Sequence, residues 1–202
     1  MWEGYLTAID EFIGARSAVK AELVADRFHV AKLYRECVDT LRKQECKRLR
    51  SEMDAKAYET LTKRIHWVLR RNHSALDEDG KQRLRKLFNV APDLHQAYTL
   101  REELTAIFET PLSVWQGKRR LLAWAYKATK VAGDCFKSFV KLLRKHLEVI
   151  ANYFQRRANS GFVEGLNTKL KLITRRSYGL RRSDTLFQRL WLDTVGFAHF
   201  NE

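Results

Sequence analysis

The chain has 202 residues, 45% of them hydrophobic and 11% aromatic, enough for one substantial core with a lobe attached. Its formal net charge is +14, from 38 Lys and Arg against 24 Asp and Glu, which points to a polyanionic partner, nucleic acid above all. No run of ~18 apolar residues is present to span a membrane, and the opening MWEGYLTAIDEF carries Glu3, Asp10 and Glu11, unlike a secretory signal.

In chain order the sequence reads as mostly helix, with only 2 Pro and 9 Gly and apolar residues at helical spacing. Trp2, Leu6, Ile9 and Ile13 predict a first helix ending near Gly14. AELVA (Ala21 to Ala25) fits a short buried strand, or a helix start. From Phe28 to about Met53, Val30, Tyr34, Cys37, Val38 and Leu41 share one side of a long helix. RNHSALDEDG (Arg71 to Gly80) is a turn-rich break, followed by a helix from about Asp79 to Phe88. Ala91-Pro92-Asp93 starts another, to about Phe108, and Thr110–Pro111 starts the next. Two long helices are then expected, from about Leu112 to Lys130 and from Asp134 to Arg157. Cys37, Cys46 and Cys135 are odd in number and lack C-x-x-C spacing, which suits a reducing compartment and no zinc site.

The charge is unevenly spread. Residues 112–182 hold 17 Lys and Arg against Asp134, Glu148 and Glu164, while the rest of the chain holds 21 of each sign. All of the excess lies in one stretch, as a face that tracks phosphates requires. A merely solvated basic face is the plainer alternative.

Within that stretch, NSGFVEGLNTKLKLITRR (Asn159 to Arg176) keeps one acid, Glu164, among four cations. A break at ANSG predicts a helix beginning at Ser160 or Gly161. At about 100° per residue, Asn167, Lys171 and Arg175 follow Glu164 on one face, with Leu166, Leu170 and Ile173 opposite. A carboxylate, an amide and two cations in line suit a divalent metal with a phosphate backbone beyond it. The spacing equally fits a surface Glu164 paired with Lys171 or Asn167. A second cluster, ADRFHVAK (Ala25 to Lys32), puts Asp26 and His29 at the head of the long helix. On its own it favours Asp26 as an N-cap with His29 as hydrogen-bond partner over catalysis.

VADRFHVAKLYRECVDTLRKQE, followed 130-odd residues later by NSGFVEGLNTKLKLITRRSYGLRR, resembles the C-terminal half of a bacterial insertion-sequence transposase of the ISL3 family of DDE transposases. The resemblance runs on through HWVLRRN and FQRLWLDTVG. It implies a ribonuclease H-like core with a helical insertion, cutting and rejoining transposon ends with Mg²⁺ or Mn²⁺ held by two Asp and one Glu. Residue by residue, it makes Glu164 the third acidic ligand and Lys171 the basic residue that follows it. Asp26 and His29 become the Asp/Cys-x-x-His signature beside the active site. DNA contacts are expected from Asn167, Lys169, Lys171, Arg175, Arg176, Arg181 and Arg182. The implied layout is core in 1–55, helical insertion in 56–130, and C-terminal helices bearing the Glu in 131–202. The first two metal-binding Asp fall upstream of Met1 in this scheme.

The fold class expected is therefore mainly α, the C-terminal part of a ribonuclease H-like (α/β) core with at most one or two short strands. The function expected is DNA transposition in a bacterial cytoplasm, nucleoid-associated, here by a truncated and catalytically incomplete copy that binds Mg²⁺ weakly. Its partners are transposon-end DNA and a second copy or an intact transposase, with no membrane. The rival reading is a non-catalytic basic helical DNA-binding protein. A purely structural helical scaffold explains the apolar stripes but leaves the charge concentration unaccounted for.

Overall fold

A computed structural model describes residues 23–157, 161–177 and 182–196, with 162–164, 183 and 195–196 described by their backbone alone. The first predicted helix, at Trp2 to Gly14, lies outside the described residues, as does Arg181. The chain divides into two compact units, Met1–Ala158 and Asn159–Glu202. The described residues are mainly helical, with no strand among them.

Unit 1 is built around the helix at Pro92–Glu109. Helix α1 (Arg27–Glu52) starts on Asp26, whose carboxylate accepts from the Phe28 N–H at 2.8 Å. This satisfies one of the four N–H groups a helix start leaves orphaned. Val30, Ala31, Tyr34, Val38 and Leu49 form its buried stripe, while Cys37 and Leu41 are half-buried. Two short helices follow, α2 (Ala55–Thr62) capped by Asp54 and α3 (Ile65–Arg70), separated by Arg64 in the left-handed region at φ 56°. A single 3₁₀ turn, His73–Ala75, fills the turn-rich break. Helix α4 (Glu78–Val90) is capped by Asp77, with Glu78 and Asp79 complementing the positive end of its dipole. Helix α5 (Pro92–Glu109) opens on a proline, which has no N–H to leave unpaired there. Leu94, Ala97, Leu100, Leu104 and Phe108 are wholly buried along it. α5 packs on α1, α4 and α6, so its apolar residues circle the helix rather than forming one stripe.

Helix α6 (Val114–Val131) begins two residues later than the expected start at about Leu112. Ser113 and Gln116 exchange side-chain hydrogen bonds with each other's backbone N–H in a capping box, and that fixes the start. The single helix expected over Asp134 to Arg157 is three: α7 (Lys137–Lys145), α8 (Leu147–Ala151) and α9 (Tyr153–Arg156). His146 leaves helical backbone at φ −115°, ψ 27°, and Arg157 closes α9 at φ 50°.

The same region explains why the described part of AELVA, Leu23–Ala25, forms no strand. Leu23–Ala25 is neither helix nor strand. The Ala25 N–H donates to the Val149 carbonyl at 2.9 Å, and Asn152 donates its amide to the Leu23 carbonyl at 3.0 Å. The segment thus pairs with the end of α8, whose last carbonyls lack intrahelical donors, instead of with a neighbouring strand.

Unit 2 holds α10 (Gly161–Arg176), α11 (Ser183–Trp191) and a π-turn, Leu192–Gly196. α10 packs on α11, with Ile173 and Leu190 buried. No described helix is long and apolar enough to cross a membrane.

Candidate nucleic-acid interface

Helix α10 carries the segment singled out in the sequence, beginning at Gly161. Glu164 stands in its first turn, in helical register with Asn167, Lys171 and Arg175. Those three side chains are exposed, as is Arg176. On the opposite side Ile173 is buried, and Leu166 and Leu170 are half-buried. The two-faced helix expected from spacing is therefore the one observed, except that Ile173 supplies more of the anchor than either leucine. The apolar side fixes the helix on α11 and leaves the cationic side clear.

The cations of unit 2 are not equivalent. Lys169 lies 3.7 Å from the Asp193 carboxylate and donates to the Asp193 carbonyl at 2.7 Å. Arg182 pairs with Asp184 at 2.7 Å, both exposed. No carboxylate among the described residues pairs with Lys171, Arg175 or Arg176. Phosphate contact costs these three no ion pair among the described residues, whereas Lys169 and Arg182 must first give theirs up.

In unit 1, Asp26 takes the N-cap role that its sequence position favoured, and His29 is exposed one turn into α1. The cap holds the Asp26 carboxylate against the Phe28 N–H, so that oxygen is already committed.

The charges of residues 112–157 are partly neutralised inside unit 1. Glu148 takes Lys118, Glu103 takes Lys127 at 2.5 Å, and Asp134 takes Lys137 at 3.4 Å. Trp115 and Tyr126 remain exposed on α6, with Arg119 and Lys130 over their rings at 5.6 Å and 5.9 Å.

A further gathering of cations lies outside 112–182 and was not read from the sequence. Lys32, Arg35 and Arg42 of α1, Arg70 of α3 and Arg101 of α5 line one hollow. The spacing of Lys32, Arg35 and Arg42 on one side of α1 was the available signal. Arg101 offered none, because nothing in a helical pattern distinguishes a buried arginine from an exposed one. It is 1% exposed and donates to the carbonyls of Arg70 at 3.3 Å and Arg71 at 2.8 Å. It thereby satisfies acceptors that the end of α3 leaves open.

The described acids do not by themselves gather into a two-metal centre. Such a centre needs bridging carboxylates that fix the ions about 3.5–4 Å apart. Among the described residues no three His, Cys, Asp or Glu converge. In unit 2, Asp184 and Asp193 are drawn to Arg182 and Lys169.

Set against known proteins, residues 1–190 match the family model described as Transposase, of the ISL3-type DDE group. The chain belongs to the ISL3 family of DDE transposases, the family that its two motifs resemble. It is 31% identical over 185 residues to the transposase for insertion sequence element IS1001 of Bordetella parapertussis, covering 91% of this chain and 44% of that protein. It is 26% identical over 134 residues to the transposase for insertion sequence element IS1557 of Mycobacterium tuberculosis, covering 66% of this chain and 30% of that one. The chain thus spans less than half the length of these relatives. No solved structure matches it.

Proposed function

We propose that this chain forms the part of a DNA-transposing enzyme that supplies its last acidic ligand and a helix that tracks the DNA backbone. The observation that carries the reading is α10, with Glu164 in its first turn and exposed Asn167, Lys171 and Arg175 in register beyond it. Arg176 extends the same basic surface, with Lys169, Arg181 and Arg182 as secondary contacts. The family match across 1–190 includes Glu164, Asp26 and His29 and supports their roles as metal ligand and active-site neighbours. The intact enzyme is read as ribonuclease H-like, with residues 1–55 in its core, 56–130 in a helical insertion and 131–202 as the C-terminal helices. It would use Mg²⁺ or Mn²⁺ on transposon ends, with the nucleoid of a bacterial cytoplasm as its place of work.

For the 202-residue polypeptide alone, the proposal is narrower. It binds DNA by phosphate contacts, with little sequence preference, and neither cleaves nor joins it. It thereby behaves as the basic DNA-binding protein of the rival reading, and is able to associate with a second copy or an intact transposase. Glu164 cannot position two cations, and Asp26 already holds the N-terminus of α1.

A strand-cleavage assay on transposon-end DNA tests both levels. The isolated chain should be inactive in Mg²⁺ and Mn²⁺. Fused to the N-terminal portion of a full-length relative, it should gain cleavage that Glu164→Gln abolishes. Cleavage by the isolated chain, lost in Glu164→Gln, would overturn the claim of incompleteness. A folded, DNA-binding, active fusion indifferent to Glu164→Gln would overturn the role given to that residue.

A further inference from the structure

The hollow in unit 1 has a volume of about 360 Å³ and a floor of Val38 and Leu69. Its cations come from three helices that are distant in sequence: Lys32, Arg35 and Arg42 from α1, Arg70 from α3 and Arg101 from α5. Two carboxylates, Glu36 and Asp39, line the hollow with them, and a third, Glu102, pairs with Arg101 from outside the lining. Asp39 is held between Arg42 at 2.9 Å and Lys43 at 3.2 Å, while Glu36 reaches Lys32 only loosely at 4.0 Å. The Arg42 hydrogen bond keeps the Asp39 carboxyl below its usual range, so this partner stays ionised and occupied. Arg35 meets no carboxylate among the described residues.

Two features set this hollow apart from an ordinary basic surface. The first is Arg101, which is fully buried and pairs through Nη2 with Glu102, and its Nε is the only buried side-chain polar atom without a hydrogen-bond partner among the described residues. Native proteins leave few such donors unpaired, and an unpaired one commonly marks the place of an absent acceptor. The second is the rim. Phe28 is 70% exposed there, at the same end of α1 as Lys32. An aromatic face beside a cation presents apolar surface to a sugar while the cation takes the neighbouring phosphate.

We propose that this hollow binds a phosphodiester of a DNA strand, with Arg35, Lys32 and Arg70 contacting the phosphate oxygens beside the Arg101 side chain and Phe28 lying against a deoxyribose. The inference rests on the reading of DNA as the partner and adds a contact site away from α10. It gives unit 1 its own grip on the strand. Arg101 is a positioning residue here, because its Nη groups are spent on the carbonyls of Arg70 and Arg71 and on the Glu102 carboxylate.

The test uses the full 202-residue chain and a labelled duplex, with affinity followed by anisotropy across a range of NaCl concentrations. Arg35→Gln and Arg70→Gln are the variants. Both side chains are exposed, whereas substitution of Arg101 would unmake the end of α3. Each variant should lower the salt slope by roughly 0.9, and affinity by roughly eightfold near 0.1 M salt, with the melting curve unchanged. Wild-type binding with unaltered slopes in both variants refutes the hollow and leaves α10 as the interface. A wild-type chain that binds no duplex even at low salt refutes the DNA reading itself, and this inference with it. Inorganic phosphate at matched ionic strength forms the second arm. If it displaces duplex from the wild type better than chloride does, and Arg35→Gln removes that advantage, the site belongs to free phosphate and the assignment to a DNA strand is wrong.

Discussion

The two faces of α10 make separable predictions. Ile173 is 6% exposed, so Ile173→Ala removes nearly a whole buried side chain, which costs about 2–5 kcal/mol in a packed site. Leu170 is half-buried, so its truncation should cost about half as much. Unit 2, Asn159–Glu202, is small, and small units have little stability to lose. Ile173→Ala should therefore open α10 detectably, and 3 kcal/mol corresponds to roughly a hundredfold faster amide exchange where opening limits the rate. Lys171→Ala removes an exposed side chain that pairs with no carboxylate among the described residues, and should change stability by no more than about 0.5 kcal/mol. Its effect belongs to DNA binding, where one lost phosphate contact lowers the salt slope by roughly 0.9. Hydrogen exchange followed peptide by peptide across 161–176, beside duplex titrations at several salt concentrations, reads both quantities. Lys171→Ala speeding exchange while Ile173→Ala leaves it untouched would show that the faces are assigned the wrong way round.

Three further outcomes follow from unit 1. Gly117 lies against the Phe154 ring, and a Cβ there would overlap Cδ2 and Cε2 and sit 2.9 Å from Cγ, while Phe154 itself stacks on Phe108 at 5.6 Å. Gly117→Ala should therefore destabilise by about 1–2 kcal/mol in a denaturant melt despite its better helix propensity, and the cost should fall sharply when Phe154 is already Ala. Burial pushes the Cys135 thiol up to about 12, with Cys37 adding to the shift. The folded state favours the neutral thiol, so this contribution to stability is whole below the ordinary thiol range and is lost as pH rises toward 12. Alkylation at pH 8, followed by mass spectrometry, should be slower at Cys135 than at an unfolded cysteine by roughly a thousandfold. Arg101→Met should destabilise the chain by about 2–4 kcal/mol through loss of two charged hydrogen bonds at the end of α3 and a third to Glu102, and comparison with wild type by calorimetry reads it directly.

What was legible in the sequence follows the physics of each element. α1, α4 and α5 were readable because capping residues and an apolar rhythm coincide: Asp26, Asp77 and Pro92 at the starts, and Val30, Tyr34 and Val38 along the first stripe. The breaks at His146 and Asn152 were not, because neither residue is a helix breaker by type. Tertiary hydrogen bonding accompanies the second of them, where Asn152 reaches the Leu23 carbonyl. The strand or helix start expected at Ala21 to Ala25, described from Leu23 onward, shows the limit of a short apolar run, which does not fix the partner for its backbone. At α10, the alternation of Leu166, Leu170 and Ile173 with Asn167, Lys171 and Arg175 placed both faces. Which cations are already paired depended on Asp184 and Asp193, and their reach is a property of the folded unit. The hollow around Arg101 was invisible for a stronger reason. Its residues come from helices that meet only in three dimensions.

The charge distribution gives a last prediction, about stability with and without a polyanion. Like charges crowded on a folded surface repel, and compaction raises that cost. Part of the excess is relieved internally, by Glu148 at Lys118, Glu103 at Lys127 and Asp134 at Lys137. Lys171, Arg175 and Arg176 on α10, and Arg35 in unit 1, have no such relief among the described residues. Salt should therefore raise the melting temperature from its low-ionic-strength value by screening these repulsions. Duplex DNA should do more than screening at the same ionic strength, because it binds only where the cations are held in folded geometry. At a duplex concentration about a hundred times the dissociation constant, the gain is about 2.7 kcal/mol, or roughly 5–10 °C for a chain of this size. Calorimetry of the wild type, Lys171→Ala and Arg35→Gln at matched ionic strength separates the contributions. Each variant should show the same response to NaCl and a smaller gain with duplex. If NaCl alone reproduced the whole gain, and duplex added nothing for any of the three, the basic face would be a solvated surface and the DNA reading would fail.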